Sequence, residues 1–247
     1  MYLRGDRPPG RGGCDHPRMS ARTSYDLTDG IATITMDDGK VNAVAPELSA
    51  ELLAHLDQAE RDEAVVILTG RPGRFSAGFD LRVPGDQWGP MMIAGAEVAK
   101  RLLAFPRPTV VACNGHAIAM GAFLLLAGDY RIGVRGDAQI GLNEVKIGLT
   151  LPWFGIELAK HRLPSQHFDR CTVTGPLFGP EDAVTYGFLD ELVDADDLAT
   201  AARAKAEELA GLNAVAHANT KLRIRSGVIA GVQRGIDAIK NEPITEW

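Results

Sequence analysis

Cysteine is scarce in this chain. Cys14, Cys113 and Cys171 are the three it has, they lie far apart, and their number is odd. They provide neither a zinc-binding spacing nor a disulfide framework, and they suit a reducing, cytoplasmic setting. Long apolar runs are missing too. The longest, Ala117 to Gly128, is too short to span a bilayer. Positive charge is not in excess: 26 Lys and Arg face 32 Asp and Glu, for a net charge of -6. With no basic stripe, a nucleic-acid partner is not expected. The six histidines never pair at the spacing of a helical zinc site. There is no phosphate-binding glycine loop, no dinucleotide fingerprint and no Gly-x-Ser-x-Gly elbow, so serine-hydrolase chemistry has no support.

What remains is an ordinary globular composition. The 247 residues are 45% hydrophobic and 23% charged, enough to bury a core in one large domain at roughly 100–200 residues per domain. Residues 1–19 differ from the rest, with several glycines, prolines and arginines but no apolar stretch. They read as a floppy leader without a signal peptide, and Met19 is an alternative start.

From Ser24 onward strands alternate with helices. Ile31–Met36 alternates as a strand does, and Pro46 opens a helix with Leu48, Leu52, Leu56 and Ala59 on one face. Val65–Leu68 and Thr109–Cys113 are short buried strands, and Tyr130–Val134 is a further one. Helices are expected from Pro90 to Leu103 and from Ile118 to Ala127, the latter apolar nearly all round. Beyond Thr150 the pattern is helical: Gly155–Arg162, Pro180–Tyr186, Ala195–Leu212 and Asn213–Ile239, the last with possible breaks at Gly227 or Gly231. The expected class is α/β with a helical C-terminal region.

Two glycine-containing turns follow buried strands: Phe75-Ser76-Ala77-Gly78-Phe79-Asp80 and Asn114-Gly115-His116-Ala117-Ile118-Ala119-Met120-Gly121. Small residues there bring bare peptide N–H groups within reach of a ligand, and the second turn leads into a helix whose first N–H groups lack intrahelical acceptors. Spacing alone also fits two tight turns that merely pack strand on helix.

The first turn resembles the F-[CS]-A-G-x-D turn of the crotonase superfamily, the enoyl-CoA hydratase/isomerase family. The second is similar to that family's N-G-x-A-x-G-G-G signature, with Ala119 and Met120 where glycines stand. Lys40-Val41-Asn42-Ala43 resembles an early coenzyme A contact. The resemblance implies a spiral of repeated ββα units, a core over residues 20–195 and a helical trimerisation region over 196–247. It implies an acyl-CoA substrate with no separate cofactor or metal, and a homotrimer or a dimer of trimers. It casts the Phe79 and Met120 amides as donors to the thioester oxygen, with the Ala119 and Met120 side chains narrowing the pocket. Ser76, Ala77, Gly78 and Gly121 would line the site.

The family's hydratases use two glutamates. The position of the first is Phe123, which cannot transfer a proton. The second falls near Glu144, flanked by apolar residues where desolvation would raise a carboxyl pKa. One base without a second acid favours a double-bond shift from a 3-enoyl-CoA to a 2-enoyl-CoA. A hydratase with another acid, Glu97 or Glu157, a thioesterase or other acyl-CoA converter using Glu144 on water, and a non-catalytic acyl-CoA binder are the alternatives. Phe123, Trp153, Phe154 and Trp88 are candidate walls of the acyl pocket, and Lys40, Arg71, Arg74 and Arg82 candidate phosphate contacts.

Overall fold

The computed structural model describes residues 21–241, so the leader expected over 1–19 lies outside the described residues. The chain opens with a hairpin, β1 (Thr23–Thr28) antiparallel to β2 (Ile31–Met36). Asp29 and Gly30 both take positive φ, 52° and 73°, as a two-residue turn matched to strand twist requires. Helix α1 (Pro46–Arg61) follows, started by its proline and burying Leu48, Leu52, Leu56 and Ala59, as the spacing predicts.

Thereafter one unit repeats. A strand enters a large sheet, the next strand turns a corner into a small sheet, and a helix returns. The units are β3 (Val65–Gly70), β4 (Gly73–Ser76) and α2 (Trp88–Leu103); β5 (Thr109–Cys113), β6 (Gly115–Ile118) and α3 (Met120–Ala127); and β7 (Tyr130–Val134), β8 (Ile140–Gly141) and α4 (Trp153–Arg162). The large sheet runs β1-β2-β3-β5-β7-β9, with β9 at Glu191–Val193, and the small one β4-β6-β8. All pairs but β1–β2 are parallel. This is the spiral of ββα units that the resemblance implies.

The sequence pattern misses the corner strands. Ile118, the expected start of a helix, instead ends strand β6, and the helix begins at Met120. A single residue, Asn114, separates β5 from β6, and its side chain donates to the carbonyls of Gly70 and Arg71 at the same corner of the preceding unit (2.8 and 2.6 Å). Gly115 sits so close to Gly73 that a Cβ would lie 2.2 Å from its carbonyl oxygen. Such pieces are too short to show a period of their own.

Helices α5 (Ser165–Thr172), α6 (Pro180–Thr185), α7 (Leu198–Ala210) and α8 (Ala214–Asn241) complete the chain. α8 runs unbroken through Gly227 and Gly231. Its glycines serve packing: a Cβ on Gly231 would meet the Glu157 carboxylate at 2.4 Å, and one on Gly235 the Phe154 backbone nitrogen at 2.5 Å. The long helix therefore lies directly against α4.

Candidate active site

The first turn is held by the segment before α1. Asn42 is fully buried in a left-handed conformation (φ 53°), and its amide donates to the carbonyls of Met36, Arg74 and Phe75 at 2.9–3.1 Å. Asp38 accepts from the N–H groups of Lys40, Asn42 and Ala43. The Ala77 N–H donates to the Val41 carbonyl (3.0 Å), and the Val44 N–H to that of Gly78 (2.8 Å). The Ser76 hydroxyl donates to the Asn42 carbonyl (2.7 Å). Asn42 and Ser76 thus shape the turn from inside, while Lys40 and Val41 stay exposed beside it.

The second turn lies on the first. A Cβ on Gly121 would fall 2.6 Å from the Ser76 carbonyl oxygen, and one on Gly78 only 2.9 Å from that of Ile118 and 3.4 Å from the Met120 amide nitrogen. Between them Ala119 adopts φ 52°, ψ -116°, a conformation that glycine takes easily and alanine does not. It ends β6, caps α3 and delays the helix to Met120. The Met120 side chain is fully buried, with its Cε against Gly95 of α2 rather than in the open space. It is therefore Ala119, and not Met120, whose side chain narrows the site. Among the described residues, the Phe79 and Met120 N–H groups have no hydrogen-bond acceptor.

Beside these turns lies a cavity of about 410 Å³ whose lining brings Ala77, Phe79 and Ala119 of the turns together with Asn143 and Glu144. Glu144 opens a short 3₁₀ turn, Glu144–Ile147. Its carboxyl is buried, and Oε2 has no hydrogen-bond partner. Burial pushes its pKa up to about 7, only partly opposed by a bond from its own backbone N–H. Among the described residues it is the one titratable side chain lining this cavity; the rest of the lining is mostly apolar and includes Leu81, Trp88, Met92, Ile118, Leu149 and Pro152.

The model of one family, described as enoyl-CoA hydratase/isomerase, matches residues 26–232. The chain belongs to the enoyl-CoA hydratase/isomerase family. A solved member of this family from Pseudomonas syringae is 45% identical, with a TM-score of 0.87 over 90% of this chain and 98% of that one. An enoyl-CoA isomerase from Mycobacterium tuberculosis is 43% identical, with a TM-score of 0.88 over 91% of this chain and 100% of that one. An enoyl-CoA hydratase from Mycobacterium marinum is 39% identical, with a TM-score of 0.86 over 90% and 99%. The family's relatives thus bear both activities in their names.

Within this enoyl-CoA hydratase/isomerase fold three expected wall residues lie elsewhere. Phe123 is fully buried inside the core, edge-on to Phe154 at 5.5 Å and pressed against Gly155 of α4. It points away from the cavity because α3 buries every face, and the turn at Ala119 sets its phase. Trp153 begins α4 pointing outward, 55% exposed, beside Glu157 and Arg234; its neighbour Pro152 is the one that reaches the cavity. Phe154 is likewise core. The alternative acids are elsewhere as well: Glu97 pairs with Lys100 (2.5 Å), and Glu157 faces Gly231 of α8. Arg71 and Arg82 are engaged by Asp37 and Asp80. Asp80 also accepts from the Arg82 N–H (3.0 Å), the turn-capping role its position suggests. Asn143, whose buried Oδ1 has no partner, went unread, although it directly precedes Glu144. Among the described residues no metal-binding cluster is present, and no helix is long and apolar enough to cross a membrane.

Proposed function

We propose that this protein shifts the double bond of a 3-enoyl-CoA to the 2-position, with Glu144 as the only side chain that moves a proton. The observation carrying this reading is the acid–base content of the cavity: one carboxyl, poised near neutrality, shares a hollow with Phe79 and Ala119, and the N–H groups of Phe79 and of Met120, which follows Ala119, are unpartnered among the described residues. Glu144 takes a proton from C2, and the electron pair moves into the thioester to give a dienolate. The Phe79 and Met120 N–H groups donate to its oxygen. Such donors are typically worth about 2.7–4 kcal/mol each in transition-state stabilisation. The same carboxyl returns the proton to C4, leaving the double bond between C2 and C3. Atoms and charge balance without a cofactor, since the coenzyme A thioester is itself the substrate.

Water addition needs a second group to assist the incoming water, and the family position for it is Phe123, turned into the core. A pKa near the working pH suits a base that must both take and return a proton. The exposed apolar residues Val215, Leu222 and Ile224 on α8 support assembly through that helix, in keeping with the trimer the resemblance implies. The deciding experiment offers trans-3-hexenoyl-CoA and crotonyl-CoA separately. A gain of conjugated-thioester absorbance with the first and no loss with the second supports the shift. Rapid loss with crotonyl-CoA would make the protein a hydratase, and tight binding without turnover a holder.

A further inference from the structure

Two apolar hollows meet at the segment that carries Glu144. One is the cavity described above, with Ile147, Leu149 and Thr150 in its lining. The other, of about 500 Å³, is lined by Val145, Leu149, Thr150, Ile156, Phe168 and neighbours, and has neither Glu144 nor the residues of the two turns in its lining. Leu149 and Thr150 belong to both. The partition is thin, one 3₁₀ turn and the loop after it, held by its own backbone: Lys146 and Ile147 donate to the Asn143 carbonyl, Gly148 to that of Val145 and Leu149 to that of Glu144 (2.9 Å). Val145 and Ile147 are each 47% exposed on this short piece. Three apolar side chains on a narrow, half-open partition suit an apolar chain running past it.

We propose that Leu149 sets the acyl-chain length the site accepts. Its side chain lines both hollows, and the second receives the distal methylenes of a long acyl chain once that side chain is cut back. This inference rests on reading the cavity as an acyl-CoA site. Leu149 is tied to Glu144 through its backbone N–H, so changing its side chain leaves that tether in place. Each methylene newly buried strengthens binding about 4-fold, so even two of them make the effect readable.

The test is calorimetric titration of the wild type, Leu149→Ala and Leu149→Phe with hexanoyl-CoA and dodecanoyl-CoA, saturated esters that bind without reacting. Leu149→Ala is expected to raise the preference for dodecanoyl-CoA about 10-fold or more, and Leu149→Phe to lower it. A preference that stays within twofold in all three proteins overturns the proposal. Should Leu149→Ala fail to fold, Leu149→Val must give a smaller shift in the same direction, and no shift there overturns it equally. Turnover does not enter this readout. A protein that binds both esters yet leaves trans-3-hexenoyl-CoA unchanged refutes the isomerase reading and leaves the length test standing; failure to bind either ester refutes both.

Discussion

The missing Cβ of Gly78 and the amide nitrogen of Met120 are neighbours, 3.4 Å apart on ideal geometry. With φ at +93°, Gly78 also holds a conformation that side chains rarely adopt. Gly78→Ala would therefore both strain the first turn and push it off the second. We expect the folded variant to lose activity by about 10²-fold or more, mostly in kcat, because the amides no longer converge. Steady-state kinetics alongside circular dichroism checks this; near-normal kcat would show that the two turns do not act together.

Ala119 makes the opposite prediction. It occupies φ 52° where glycine would be unstrained. Ala119→Gly should raise stability by roughly 1 kcal/mol, the relief of strain outweighing the added chain entropy. Chemical denaturation would show an increased midpoint at constant slope. A decrease would mean that the methyl contact with Gly78 matters more than the backbone strain.

Glu144 couples function to stability. Its pKa rises from 4.5 to about 7 on folding, so the folded state holds the proton more tightly. Stability is then fullest below pH 4.5 and declines as pH rises to about 7, by a total on the order of 3 kcal/mol. Glu144→Gln removes that loss, so the variant should melt higher than wild type at pH 8 and match it more closely at pH 4.5. Its activity should fall by about 10²–10⁴-fold. In the wild type, kcat/KM should climb with pH to a plateau with its midpoint near 7. A flat profile would remove the carboxylate from the reaction.

Much of this was legible beforehand, and the reasons are physical. The β2, β5 and β7 spans follow from apolar runs bounded by turns, and the first helix from Pro46 and a four-residue apolar spacing. Glu144 stood out because the family resemblance puts a glutamate near it, and its apolar flanks give that carboxyl a raised pKa. The corner strands β4, β6 and β8 were not legible, since two to four residues carry no period. Phe123 was misplaced for a related reason. An all-apolar helix such as α3 gives no clue to which face meets a cavity, and the phase is fixed by a left-handed residue one position before it. Trp153 was misplaced because proline and tryptophan adjoin, and only the backbone decides which one turns inward.

A buried charge cluster fastens α8 to the sheet. Asp129 receives the Thr109 N–H (2.8 Å), Lys221 (2.7 Å) and Arg225 (2.8 Å). Burial opposes its ionisation, but the two cations overcome this and hold its carboxyl below the ordinary range. Asp129→Asn leaves both cations buried without a counter-charge. It should cost about 3–5 kcal/mol, seen as a lowered melting temperature, whereas a surface ion pair such as Arg203–Glu207 should cost little when removed.

The central claim is that one carboxyl carries the proton from C2 to C4. It is tested most directly by supplying a 3-enoyl-CoA dideuterated at C2 and analysing the earliest product by mass spectrometry and NMR. The account predicts that part of the C2 label reappears at C4, and that Glu144→Gln cuts product formation by about 10²–10⁴-fold and abolishes the transfer. Product formed at the wild-type rate with C4 protonated wholly from solvent, and no label retained there at any time, would contradict it.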